Sequence, residues 1–427
     1  MRHAAACTLP LALVLTAACA GGRAAQVTLQ CDSDNGGITL PDGFCAVVVA
    51  DNLPQPRHLA VRPDGDVFVA TYGGRGGTPP GGVVVLRDTT GDGRADVRAR
   101  FGPDGGSGIA LQGDDVYFGM DREVRRYRVP AGDLQPADTG VVIVRGLPAR
   151  PGHRAKSLAL RDGDLFVNIG SPSNSCQVRD RTDGSPGQDP CPELETRAGI
   201  WRFDARRPGQ TEADGQHWAT GMRNTVALAF DSAGQLFGVI HGRDQLAQNW
   251  SRFYTVEQGA ELPAEEFVRI GRGSDYGWPY CYYDWQTKRN VLAPEYGGDG
   301  KKVGRCTDKD LPLVGFPGHW APDGLLFYDG TQFPASFRGG AFIAFHGSWN
   351  RAPMPQQGYK VVFVPFREGR PTGTGTTFAS GFAGPDVSPN GARHRPVGLA
   401  VGPDGSLYIS DDTGGRVWRV MYRPARR

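Results

Sequence analysis

The chain has 427 residues, 62 of them Gly and 33 Pro; both interrupt helices, which excludes a helical bundle or coiled coil. An apolar content of 39%, with 8 Trp, 13 Tyr and 20 Phe, supplies a core and excludes a disordered chain. A net charge of only +2 gives no global attraction to nucleic acid or anionic lipid.

Residues 1–25 read as an export signal. Met1-Arg2-His3 is a short basic start, Ala4 to Ala18 is an apolar run too short to span a membrane permanently, and small residues follow through Ala25. Two processing readings stay open. One cuts after a small-x-small site such as Ala18-Cys19-Ala20 or near Ala25. The other makes Leu15-Thr16-Ala17-Ala18-Cys19 a lipoprotein site, with Cys19 acylated as a lipid anchor. Either way the protein is exported, to the periplasm, and residues 26–427 form a single domain. Six cysteines then remain as three local pairs: Cys31 with Cys45, Cys176 with Cys191, and Cys281 with Cys306. Neighbour pairing is expected, because exported chains with even counts form disulfides and each intervening loop is short and rich in Gly and Pro.

One pattern recurs along the domain: a small aliphatic stretch, a turn with Asp and Gly, then an aliphatic–aromatic strand. Ala60-Val61-Arg62-Pro63-Asp64-Gly65-Asp66-Val67-Phe68 shows it first, and its aromatic returns at Tyr117, Phe166, Phe237, Phe342 and Tyr408. The first two gaps are equal. Alternating strands joined by Asp-Gly turns are hairpins, and hairpins repeating about every 50 residues mark propeller blades. Six copies predict an all-β, six-bladed β-propeller. Insertions at about 171–200 and 243–315 each hold a cysteine pair that would staple a long loop.

In such a repeat the turn lies at one end of the two strands. The residues before the first strand and after the second therefore share the other end and gather around one mouth of the channel. Before the first strand stand Arg57-His58, His153, Arg223-Asn224 and Arg393-His394-Arg395. After the second stand Tyr72, Gly170-Ser171, His241-Gly242 and Asp411-Asp412, and the irregular fifth blade adds His319-Trp320 and His346 to Arg351. Arginines converging on one cleft predict a carboxylate-bearing ligand.

Gly152-His153-Arg154, Gly221-Met222-Arg223-Asn224, Tyr276-Gly277-Trp278-Pro279, His346-Gly347-Ser348-Trp349-Asn350-Arg351 and Arg393-His394-Arg395-Pro396 carry a family resemblance across essentially the whole mature chain. They resemble the soluble sugar dehydrogenases that use pyrroloquinoline quinone (PQQ), six-bladed propellers of the glucose, aldose and sorbosone dehydrogenase group, with the sorbosone branch the most similar. The resemblance implies oxidation of an aldose or a sugar aldehyde by hydride transfer to PQQ, with electrons passed to an external acceptor, a cytochrome or a quinone. It implies His153 as general base, a role suited to imidazole, and Arg223 as the group that stabilises charge on the quinone oxygen. Asn224, Arg393, Arg395, Arg351, Asn350, His319, Trp320 and Arg57 form the implied cofactor-binding set. Calcium would take the backbone carbonyls of Gly242 and Arg243, although the family's usual residue after that Gly is Pro. The acidic residue that orients the base in the glucose enzymes is replaced around Ser171.

Two other acidic stretches carry open readings. Asp88 to Asp96 reads equally as a solvated turn or a weak Ca²⁺ site, and Glu265-Glu266 reads as an exposed, solvated pair. Two further functions compete: a calcium-dependent hydrolase of the lactonase type, and a non-catalytic propeller that binds carbohydrate or protein. The Arg and His at the blade starts argue against the hydrolase.

Overall fold

The computed structural model describes residues 1, 29–74 and 79–424. The export signal beyond Met1, Cys19 with its acylation and the domain start at residue 26 lie outside the described residues.

Six antiparallel sheets, each built on four strands, form the blades. Blade 1 is Pro56–Val61, Val67–Gly73, Pro80–Arg87 and Val97–Phe101; blade 2 is Gly106–Gln112, Asp115–Met120, Val124–Arg128 and Val141–Val144. Blade 3 is Leu158–Arg161, Asp164–Ile169, Gly199–Asp204 and Gln216–Thr220; blade 4 is Ala227–Phe230, Leu236–Ile240, Glu265–Ile270 and Val314–Phe316. Blade 5 is Pro322–Tyr328, Gly340–Phe345, Lys360–Arg367 and Thr376–Ala379. Blade 6 takes Pro396–Val401, Leu407–Asp411 and Val417–Tyr422 from the end of the chain and its outer strand, Phe44–Ala50, from the beginning. The first strands of successive blades touch one another in an unbroken circle, blade 6 returning to blade 1.

The recurring aromatic has a consistent place. Phe68, Tyr117, Phe166, Phe237 and Tyr408 each stand in the second strand opposite an alanine of the first: Ala60, Ala110, Ala159, Ala229 and Ala400. A large ring beside a small partner fills the space between neighbouring strands without crowding. In blade 5 the partner is Leu326, facing Phe342, and the Asp-Gly turn is replaced by a longer connection. Gly65 and Gly405 take φ of 96° and 82° in the turns of blades 1 and 6, which a side chain would resist.

Both insertions leave from the second strands of blades 3 and 4, at the mouth end. The first spans 170–198. The second is not one continuous loop. Glu265–Ile270 interrupts it as the third strand of blade 4, and both glutamates are buried, at 2% and 7% exposure, which corrects their reading as a solvated pair. Two adjacent acids broke the apolar pattern by which a strand is recognised. The remainder climbs along blade 3, where Ser274–Asp275 pairs in parallel with Gln216–Thr220, and forms the hairpin Cys281–Asp284 and Arg289–Leu292.

All three disulfides join neighbouring cysteines. Cys176–Cys191 closes a separation of 15 residues, and the disulfide packs with Ala198 and with Trp278 of the blade 4 insertion in a small cluster. Replacing both cysteines with Ser is expected to lower the unfolding free energy by about 3 kcal/mol, as chain entropy dictates for a loop of this length, read by urea denaturation.

Candidate active site

A cavity of about 410 Å³ opens at the predicted mouth. Eight of the twelve residues expected at the site line it: Arg57, His153, Arg223, Asn224, Gly242, His319, Asn350 and Arg395. Four do not. Arg393 is exposed outside the cavity. Arg351 is buried at 1% exposure, its guanidinium spent on Glu261 and on the carbonyls of Ala260, Gly318 and Pro355. It ties blade 5 to the blade 4 insertion instead of meeting a ligand. Trp320 donates to Gln357 and carries the Lys360 ammonium over its ring. Arg243 points its side chain away, to Glu295 at 2.5 Å.

His153 sits where blade 3 begins. Its Nδ1 lies 2.8 Å from the Ser171 carbonyl, which can only accept, so Nδ1 carries the proton and Nε2 is left bare. The Ser171 hydroxyl, 3.2 Å from the same nitrogen, gives its own proton to Ser173 O. A backbone carbonyl thus orients the ring. Burial first, and then the Arg223 charge, push this imidazole well below its ordinary 6.5. It is a neutral base at neutral pH.

Arg223 is buried and spends four of its five N–H donors: Nε and Nη2 on Asn174, Nη1 on Gly242 O at 2.8 Å, and Nη2 on Asp244 at 3.1 Å, so that among the described residues one Nη1 hydrogen is left without a partner. Asp244 also accepts from Arg181 at 2.9 Å and Asn350 at 2.7 Å. Burial alone would raise its carboxyl, but Arg223, His319 and Arg181 hold it far below the usual carboxylate range. On the other side Arg57 bridges Asp323 at 2.9 Å and Asp412 at 2.5 Å. His241 and His346 face those same two acids at 3.2 and 2.8 Å. Glu265 accepts from the backbone N–H of Gly242 and Ala321.

Asp244, Asp323, Glu265 and Arg181 were not among the expected residues, and His241 and His346 had been placed at the mouth without a role. Asp323 follows Pro322 at the start of blade 5 as Arg57 follows Pro56 in blade 1, so the repeat held a signal for it. Arg181 and Asp244 meet across 63 positions through an irregular loop, where no periodicity operates.

The cationic groups differ in how far they are neutralised. Arg57, Arg181 and Arg223 have carboxylate partners. Among the described residues Arg395 donates only to the carbonyls of His346, Gly347 and Ser348, and Arg154 stacks on Tyr72 at 3.9 Å and forms a long ion pair with Asp121 at 3.5 Å. Among the described residues Asn350 Oδ1 is buried with no donor. Arg395, with no carboxylate partner among them, fits an anionic, carboxylated ligand such as PQQ, and the Asn350 oxygen can accept from a ligand N–H or O–H. Calcium fits less well. The Gly242 carbonyl expected to bind it is taken by a guanidinium, and among the described residues the one trio of potential side-chain ligands is Cys176, Cys191 and Glu193, whose cysteines are a disulfide. At the other candidate, Asp88 spends both oxygens on the turn's own N–H groups.

Burial, opposed by the Asp323 carbonyl, lowers His58 to about 4 from 6.5. Between those values the unfolded chain binds the proton and the folded one does not, so stability rises with pH there and falls as pH drops from 6.5 towards 4. Urea unfolding across that interval is expected to show this slope, flattened in His58→Gln.

Fold and mouth together define a six-bladed propeller with a neutral, oriented imidazole in an arginine-rich cavity. The chain belongs to the TrAA12-like family, whose model matches residues 38–423. It is similar to a pyrroloquinoline quinone-dependent pyranose dehydrogenase of Coprinopsis cinerea, 26% identical over 90% of this chain and 54% of that protein. The chain spans about half the length of the curated relatives it matches. Among solved structures it shares its fold with the calcium structure of the Trichoderma reesei Carbohydrate-Active Enzymes Family AA12, with a TM-score of 0.73, 21% identity and coverage of 90% and 97% of the two chains. The holo form of the Coprinopsis cinerea pyranose dehydrogenase PQQ domain matches with a TM-score of 0.72 and 20% identity, covering 90% and 97%.

Proposed function

We propose that this protein is a quinoprotein dehydrogenase that oxidises the C–H and O–H of a sugar hydroxyl, in an aldose, a pyranose or a sorbosone-like sugar aldehyde. The observation that carries the reading is His153, held neutral with Nε2 bare in the same cavity as Arg223 and the unneutralised Arg395. Bound PQQ would supply the two-electron hydride acceptor. His153 Nε2 takes the hydroxyl proton as hydride leaves the carbon, and Arg223 faces the developing negative charge. Arg395 and Arg154 pair with ligand carboxylates; Asn224 and Asn350 orient the ligand by their amides. No step is assigned to calcium, given the Arg223 contact at Gly242.

Electrons then leave to an external cytochrome or quinone. The three disulfides support an oxidising compartment, and the periplasm is the proposed one. The hydrolase alternative needs carboxylates free to hold a metal. Asp244, Asp323 and Asp412 each bind an arginine, and both Glu265 oxygens are spent on backbone N–H groups. Dye reduction by PQQ-loaded protein over a panel of aldoses, pyranoses and sugar aldehydes tests the proposal. Quinone-dependent turnover of at least one sugar is the expected result; lactone hydrolysis without quinone would overturn it.

A further inference from the structure

Arg197 lies in the stapled loop of blade 3, beyond Cys191 and outside the cavity lining. Its side chain is buried; the residue is 6% exposed. Nε donates to Gly170 O at 2.7 Å, and Nη2 donates to Pro151 O at 3.2 Å and reaches His153 O at 3.5 Å. It forms no ion pair among the described residues; Glu193 and Glu212 act on it only from a distance. Beside it Lys156, fully buried, donates to Arg154 O at 2.9 Å. Four carbonyls from two segments therefore converge on two buried cations.

A buried charge without a paired counter-charge is costly, and here the direct contacts that offset it are carbonyl dipoles. The two segments it joins are the ones that meet at the base. Residues 151–154 carry the His153 ring. Residues 170–171 carry the carbonyl that accepts its Nδ1 proton. The backbone bond from His153 N to Ser171 O, at 3.1 Å, also ties them together.

We infer that Arg197 is a positioning residue. By linking the Pro151 and Gly170 carbonyls it sets the spacing between His153 and Ser171 O, and so fixes the tautomer that leaves Nε2 bare. The effect on turnover rests on His153 being the base; the effect on the tautomer does not. The Ser171 carbonyl contacts the imidazole, and the charges of Arg223, His241 and Asp244 act on it; all remain when Arg197 is changed.

The test uses the full chain with Arg197→Met and Arg197→Lys. Long-range ¹⁵N–¹H spectra of histidine-labelled protein report the His153 tautomer, and steady-state dye reduction separates kcat from KM. In Arg197→Met the Nδ1–H pattern is expected to give way to a mixture. The kcat is expected to fall about 10–100-fold, the scale of a misplaced catalytic group, with PQQ affinity and KM unchanged. Arg197→Lys, which keeps the charge and fewer donors, recovers part of both. An unchanged tautomer pattern overturns the inference, whether or not kcat falls, because a purely structural role would lower kcat without moving it. If the Met variant fails to fold, the Lys variant decides by the same pattern. Full activity in His153→Ala would instead remove the base assignment and leave the tautomer readout standing.

Discussion

His153→Ala is expected to lose about 10²–10⁴-fold in kcat for sugar oxidation, the contribution of a positioned general base. PQQ affinity should stay within a few-fold, because the cationic groups at the mouth are untouched. Ser171 O accepts from Nδ1, burial and Arg223 keep the ring neutral, and His153 lines the same cavity as Arg223 and Asn224. The acid limb of kcat/KM should therefore lie below 6.5, since the imidazole stays deprotonated to lower pH than a free one. Steady-state kinetics against pH, with equilibrium PQQ titration on the same samples, checks both parts. An unshifted limb at 6.5 in the native protein would contradict the burial argument.

Arg223→Ala is expected to fail more broadly. The guanidinium holds Asn174, Gly242 and Asp244 at once, so its loss leaves the buried Asp244 carboxylate with one of its two arginines, Arg181. Removing one partner of such a pair destabilises by about 3–5 kcal/mol. Turnover should fall about 10²–10³-fold where folded protein remains, the scale of losing a preorganised electrostatic donor. Arg223→Lys should recover stability by keeping the charge near Asp244, yet recover little turnover, because an ammonium cannot span the three acceptors. Thermal unfolding and single-turnover reduction on both variants separate the two effects. Equal recovery of both in the Lys variant would reduce Arg223 to a structural residue.

The fold was legible because it is written as a repeat. The alanine–aromatic pairing at Ala60 and Phe68 recurs with the same partner types in five blades, and the turn at one end forces Arg57, His153, Arg223 and Arg395 to the other. The N-terminal strand that completes blade 6 carries no such mark, because it lacks the hairpin of the repeat and pairs across almost the whole chain. Glu265-Glu266 looked like solvated surface, since only the fold reveals that backbone N–H groups await Glu265. Arg351 and Arg395 are alike as letters. One is buried against Glu261, and the other reaches the mouth with carbonyl partners alone. That difference is set by loops between distant segments, where neither period nor spacing speaks. The same holds for Arg181 and Asp244.

The central claim is that the mouth holds PQQ next to His153. Anaerobic titration of the purified protein with PQQ, followed by addition of a sugar, tests it most directly. The account predicts saturable binding of one quinone per chain at micromolar or tighter affinity, weakened in Arg395→Ala, and bleaching of the oxidised quinone spectrum on adding sugar that His153→Ala slows. Saturable binding that is indifferent to Arg395, or no binding at all, would contradict it.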